Sequence, residues 1–83
     1  MKKGMCVTLA DNTEYVLVDN VLYDGEKFFA ALEANKEDAE LEFFKEVITD
    51  DGEYLETISE LEYGHIIEAL LQHMVDTFST ENE

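Results

Sequence analysis

Two histidines, one cysteine and 21 carboxylates are the side chains of this sequence that could do chemistry. His65 and His73 are the candidate metal ligands. They stand eight residues apart, roughly 12 Å along a helix at 1.5 Å per residue. Chelation by one helix needs two ligands about one turn apart, as in His-Glu-x-x-His. The spacing argues against a shared metal and for a solvent-facing His65, with His73 at the edge of an apolar face. Carboxylates could hold Ca²⁺ or Mg²⁺, but an EF-hand loop needs Asp at its first position and Gly at its sixth. Counting back from Gly25 puts Asn20 first and Leu22 third, and counting back from Gly52 puts Val47 first. Neither fits, so weak cation condensation without a defined site is expected.

Cys6 would need a neighbouring base to act as a nucleophile, and basic residues are few anywhere in the chain. It reads as a strand cysteine packed like a small hydrophobe. No pair among so many acids can be singled out for acid–base work, and four scattered glycines make no phosphate loop. No catalytic, cofactor-binding or metal residue is assigned, no cofactor is implied, and the chain reads as a non-enzyme.

The charge balance narrows the partners. The 83 residues carry 21 acids against five basic residues, a net charge of −16. All five are lysines, and no arginine exists to clamp a phosphate or carboxylate with two parallel bonds. Binding to nucleic acid draws its affinity from Lys and Arg on phosphates, so direct nucleic-acid binding is not expected. Anionic membrane surfaces are disfavoured for the same reason. Such charge raises the question of disorder. Leu, Ile, Val and Phe make up 24 of the 83 residues, well above the level of disordered chains, so a folded domain is expected. A lone cysteine allows no internal disulfide. The apolar start 5–10 is broken at once by Asp11 and Asn12, unlike a signal peptide. A cytoplasmic protein is the expectation.

The elements that must position these side chains are legible from turns and periods. Asp11-Asn12-Thr13, Asp24-Gly25-Glu26 and Asp50-Asp51-Gly52 are clusters of turn formers. Between them lie short runs rich in β-branched and aromatic residues, read as strands at 5–10, 14–23, 27–34, 41–49 and 53–57. Met5, Val7 and Leu9 share one face; Val16 and Val18 share another; Phe28, Ala30 and Leu32 a third. A phase slip across Asp19-Asn20 suggests a β-bulge or bend. In the fourth run Phe43 and Phe44 point to opposite faces, which means that both faces are covered or that another bulge intervenes. The charged connection 34–40 suits one helical turn or a loop.

The last third changes period. Ser59 and Glu62 have the spacing of a capping box. Tyr63, Ile66, Ile67, Leu70, Leu71, Met74 and Phe78 then recur three and four apart, with Val75 at the border. This predicts an amphipathic helix at about 60–78, followed by a mobile polar tail at 79–83. Gly64 inside it marks close packing or a frayed first turn.

The run 12–32, centred on Val-Leu-Val-Asp-Asn-Val-Leu-Tyr-Asp-Gly-Glu-Lys-Phe-Phe-Ala, is followed by 43–58 with Asp-Asp-Gly-Glu-Tyr-Leu-Glu-Thr-Ile. In this order the chain resembles the YrzB-like small acidic proteins of bacteria, a domain of unknown function, from about Val7 to Phe78. The resemblance implies a bacterial cytoplasmic protein and carries no catalytic or binding residues. Tyr63-Gly64-His65-Ile66-Ile67 departs from the acidic lead usual in that family, so the helix here is expected to be longer and more apolar.

The expectation is therefore a single α+β domain over 1–83, an antiparallel β-sheet of four to five strands in meander order with one C-terminal α-helix packed on one face. Its expected role is a protein-interaction or regulatory module for a basic partner, with homo-oligomerisation left open. The alternatives are a nucleic-acid mimic that occupies a nucleic-acid-binding protein, and, last, an enzyme with an unrecognised site.

Overall fold

The computed structural model describes residues 1–81, with side-chain surroundings through Asp76. Five strands run in chain order: β1 (Cys6–Thr8), β2 (Glu14–Tyr23), β3 (Glu26–Glu33), β4 (Glu42–Thr49) and β5 (Gly52–Thr57). Each pairs antiparallel with the next, giving the order β1-β2-β3-β4-β5. Helix α1 (Glu60–Glu81) follows. This is the expected α+β meander.

Local chemistry explains the turns. The β2–β3 hairpin closes at Tyr23 and Glu26, leaving Asp24 and Gly25 as a two-residue loop with φ of 55° and 81°. Two positive φ values define a type I′ turn, whose twist matches that of the flanking strands. At the other end of β3, Asn35 takes φ of 63°. The connection 34–40 is a pair of turns without a helix.

The bulge expected near Asp19-Asn20 lies just before it: the β2–β3 register shifts between Leu17 and Asp19, so Val18 is the extra residue. It changes which residues face the helix. Val18 and Val21 pack against the helix-side core with Phe28, Ala30, Ile58, Ile66, Ile67 and Leu70. Asp19, opposite Ala30, is turned to the same face.

The other face is also buried. Tyr15, Leu17, Phe29, Ala31 and Phe44 form a second cluster, with Met1, Val7, Leu9 and Leu55 against it. The sheet curls into a half-barrel around these side chains, since a bulge strengthens local twist. This resolves the fourth strand: Phe43 faces the helix and Phe44 the inner cluster, with no register shift along β4. Met5, expected with Val7 and Leu9, is 38% exposed instead.

The helix begins as its sequence requires. The Glu62 N–H donates to Ser59 Oγ at 3.4 Å, an N-cap bond. Ile58 before the cap and Tyr63 in the first turn both join the helix-side core, as in a hydrophobic staple. The backbone breaks at Tyr63, with φ of −122° and ψ of 25°. A Cβ on Gly64 would meet nothing within 4 Å, so this glycine marks the break and not a close approach. The helix continues through Glu81, so the expected stop after 78 is wrong. Asn82 and Glu83 lie outside the described residues, and Phe78 outside those whose side chains are described.

The apolar stripe needs one correction. Ile66, Ile67 and Leu70 are buried and Met74 packs at their edge, but Leu71 is 41% and Val75 57% exposed. At 3.6 residues per turn, Leu71 stands about a quarter-turn from the centre of the buried set. Among the described residues, no helix is long and apolar enough to cross a membrane.

Candidate functional site

The β1–β2 turn and the β3–β4 connection lie at the same end of a meander. Tyr15 stands near the start of β2, opposite Glu33 at the end of β3. Its ring is buried in the inner cluster, edge-on to Phe44 with centroids 5.3 Å apart. Its hydroxyl reaches the surface of a recess of about 360 Å³ lined by Tyr15, Glu33, Lys36, Asp38, Glu40 and Glu42. The reversal at Asn35 and the bond from Ala34 N–H to the Glu14 carbonyl at 2.8 Å bring the charged connection over this end.

The electrostatics of the recess are one-sided. A hydrogen bond to the Glu42 carboxylate, then burial, then the charges of Glu42, Glu33 and Asp11 push the Tyr15 phenol up to about 12. The cation in the wall, Lys36, lies 3.9 Å from Glu33 and is largely exposed, an arrangement that neutralises little. Asp11 is held as an anion below the usual carboxylate range, first by the Thr13 backbone N–H, which donates to it at 2.9 Å. Such a recess can take up an ammonium or guanidinium group. Among the described residues, no group of three or more His, Cys, Asp or Glu side chains converges to hold a metal ion.

A second polar feature lies on the helix face. Asp19 is the buried charged side chain of the described core, 3% exposed. Its Oδ1 accepts the Asn20 N–H at 2.9 Å, and its Oδ2 lies 2.7 Å from His73 Nδ1. His73 therefore does more than sit at the edge of a stripe: it is the partner of a buried carboxylate. The sequence signal was the phase slip itself, which turns an aspartate towards the helix.

The remaining sequence candidates scatter. His65 is exposed, as expected, and its ring meets Tyr23 edge-on at 5.2 Å. Cys6 is a free, exposed thiol on edge strand β1, which corrects the expectation of a packed cysteine. It alternates with Val7, and the inner cluster takes Val7. Gly25 and Gly52 serve hairpin turns. Two other lysines are already engaged: Lys45 bonds Glu26 at 3.0 Å, which raises its pKa, and Lys27 donates to the Met1 carbonyl. The Met1 ammonium lies 3.2 Å from Glu46 and 3.3 Å from Glu53.

Compared with family models, curated proteins and solved structures, the chain matches none.

Proposed function

We propose that this chain is a non-enzymatic interaction module whose partner is a basic protein. The observation that carries the reading is the recess itself, where Glu33, Asp38, Glu40 and Glu42 stand around Tyr15 with Lys36 as the one cation of the lining. Lys36 lies 3.9 Å from Glu33 alone, so the carboxylates of this recess outnumber its cation four to one. A partner's Lys or Arg entering it would gain charge-assisted bonds, and the net charge of −16 would speed the encounter. A bacterial, cytoplasmic setting is part of this proposal, and it rests on the resemblance of 12–32 and 43–58 to the YrzB-like acidic proteins alone.

The test is a titration with poly-L-lysine, followed by tyrosine fluorescence, at low and moderate NaCl. Binding should weaken steeply with salt, and further when Glu33, Glu40 and Glu42 are changed together to Gln. Affinity that ignores this triple neutralisation would sink the reading. Capture of nucleic-acid-binding proteins that DNA then displaces would turn it towards mimicry.

A further inference from the structure

β1 and β5 are the two open edges of the half-barrel. Both line one cleft of about 370 Å³, with Val7, Thr8 and Leu9 on one side, Glu53, Tyr54 and Leu55 on the other, and Met1 also in the lining, its ammonium against Glu46 and Glu53. Val7, Leu9 and Leu55 also pack against the inner cluster, so the floor of this cleft is apolar.

The hydrogen-bond phase shows which main-chain groups face it. Ile58 N–H donates to the Phe43 carbonyl, and the register continues through Lys45↔Glu56 and Val47↔Tyr54. Bonded and unbonded pairs alternate in an antiparallel ladder. Tyr54 and Glu56 therefore turn their main chain to β4, while Glu53, Leu55 and Thr57 turn theirs to the open edge. On β1 the Leu9 N–H donates to the Thr13 carbonyl, and the register Val7↔Tyr15 keeps that phase. Cys6 and Thr8 are thus the residues of β1 with main chain facing outwards.

Direction adds a constraint. In a five-stranded antiparallel meander the first and last strands run the same way. One further strand running the opposite way is antiparallel to both edges at once, and it would close the barrel. Charge selects the occupant. Asp11 and Glu53 stand at the cleft, Glu53 shared with the Met1 ammonium at 3.3 Å, and Glu56 stands on β5. A second copy would bring the same acids and a further net charge of −16 against them. Charged side chains on an edge are a device against such self-pairing.

The geometry points to this cleft as the docking site for an extended segment of a basic partner, alternating apolar with Lys or Arg residues and added as a sixth strand between β1 and β5. The inference rests on the reading of a basic partner and adds where and how it binds. The main chain would supply affinity and the apolar floor would select alternate side chains.

The probe is an end-blocked synthetic peptide alternating valine and lysine, added to the isotope-labelled full chain. Amide exchange at Cys6, Thr8, Glu53, Leu55 and Thr57 should slow, and cross-strand NOEs should join the peptide to both edges. A peptide of equal charge, N-methylated at alternate residues, should bind about tenfold more weakly for each bond lost. Equal binding of the methylated peptide, or shifts gathered around Tyr15 instead, would overturn strand insertion and leave the basic-partner reading standing. Failure of both peptides and of poly-L-lysine at low salt would overturn both. Slow edge amides without peptide, in a particle of dimer mass, would make a second copy the occupant and overturn the proposal.

Discussion

Nδ1 of His73 lies 2.7 Å from Oδ2 of Asp19 and joins the helix to the bulge of β2 across 54 residues of sequence. The carboxylate is buried and the imidazole half-exposed. Removing the imidazole leaves the carboxylate in the core with the Asn20 N–H still donating to its Oδ1. His73→Ala should therefore cost about 1–3 kcal/mol. A double-mutant cycle with Asp19→Asn, read from denaturant melts, should give a coupling above about 0.5 kcal/mol. Additive costs would show that the contact contributes nothing.

Leu70 and Leu71 are adjacent in sequence, and their fates differ. Leu70 is fully buried and Leu71 is 41% exposed. Leu70→Ala should destabilise by about 2–5 kcal/mol, the cost of a core cavity. Leu71→Gln should stay within about 0.5 kcal/mol. Similar losses in urea would place the helix at the wrong rotation on the sheet.

Gly64 lies inside the helix, in open space and without a positive φ. Ala is the better helix former by about 1 kcal/mol, and nothing blocks its methyl group. Gly64→Ala should raise the thermal midpoint. A fall would mean that the break at Tyr63 needs the freedom of glycine.

Tyr15 supplies the pH signature. Its phenol should ionise late, at about 12 against an ordinary 10.0. Because the folded value is raised, its contribution to stability is complete below about pH 10 and is lost as pH climbs through about 12. Phenolate absorbance should show one late-titrating group, absent in Tyr15→Phe and earlier in Glu42→Gln. A late group that persists in Tyr15→Phe would assign the signal to another tyrosine.

Sequence alone determined the features that local physics controls. Asp24-Gly25 had to turn, because few other pairs accept two positive φ values. Ser59 had to start the helix, and Ile66, Ile67 and Leu70 had to share its face. The slip near Asp19 announced the bulge. Tertiary structure decided the rest. Periodicity tells which residues share a face, but not whether that face is covered. Only the curl of the sheet shows that Tyr15, Leu17, Phe29, Ala31 and Phe44 form a second core, and that Cys6 stays outside it. The meeting of Asp19 and His73 needs the helix docked at one rotation, which also exposes Leu71. The recess at Tyr15 needs two distant turns brought to one end of the sheet. Each of these is a long-range contact, set by how preformed elements pack and not by the residues beside them in the chain.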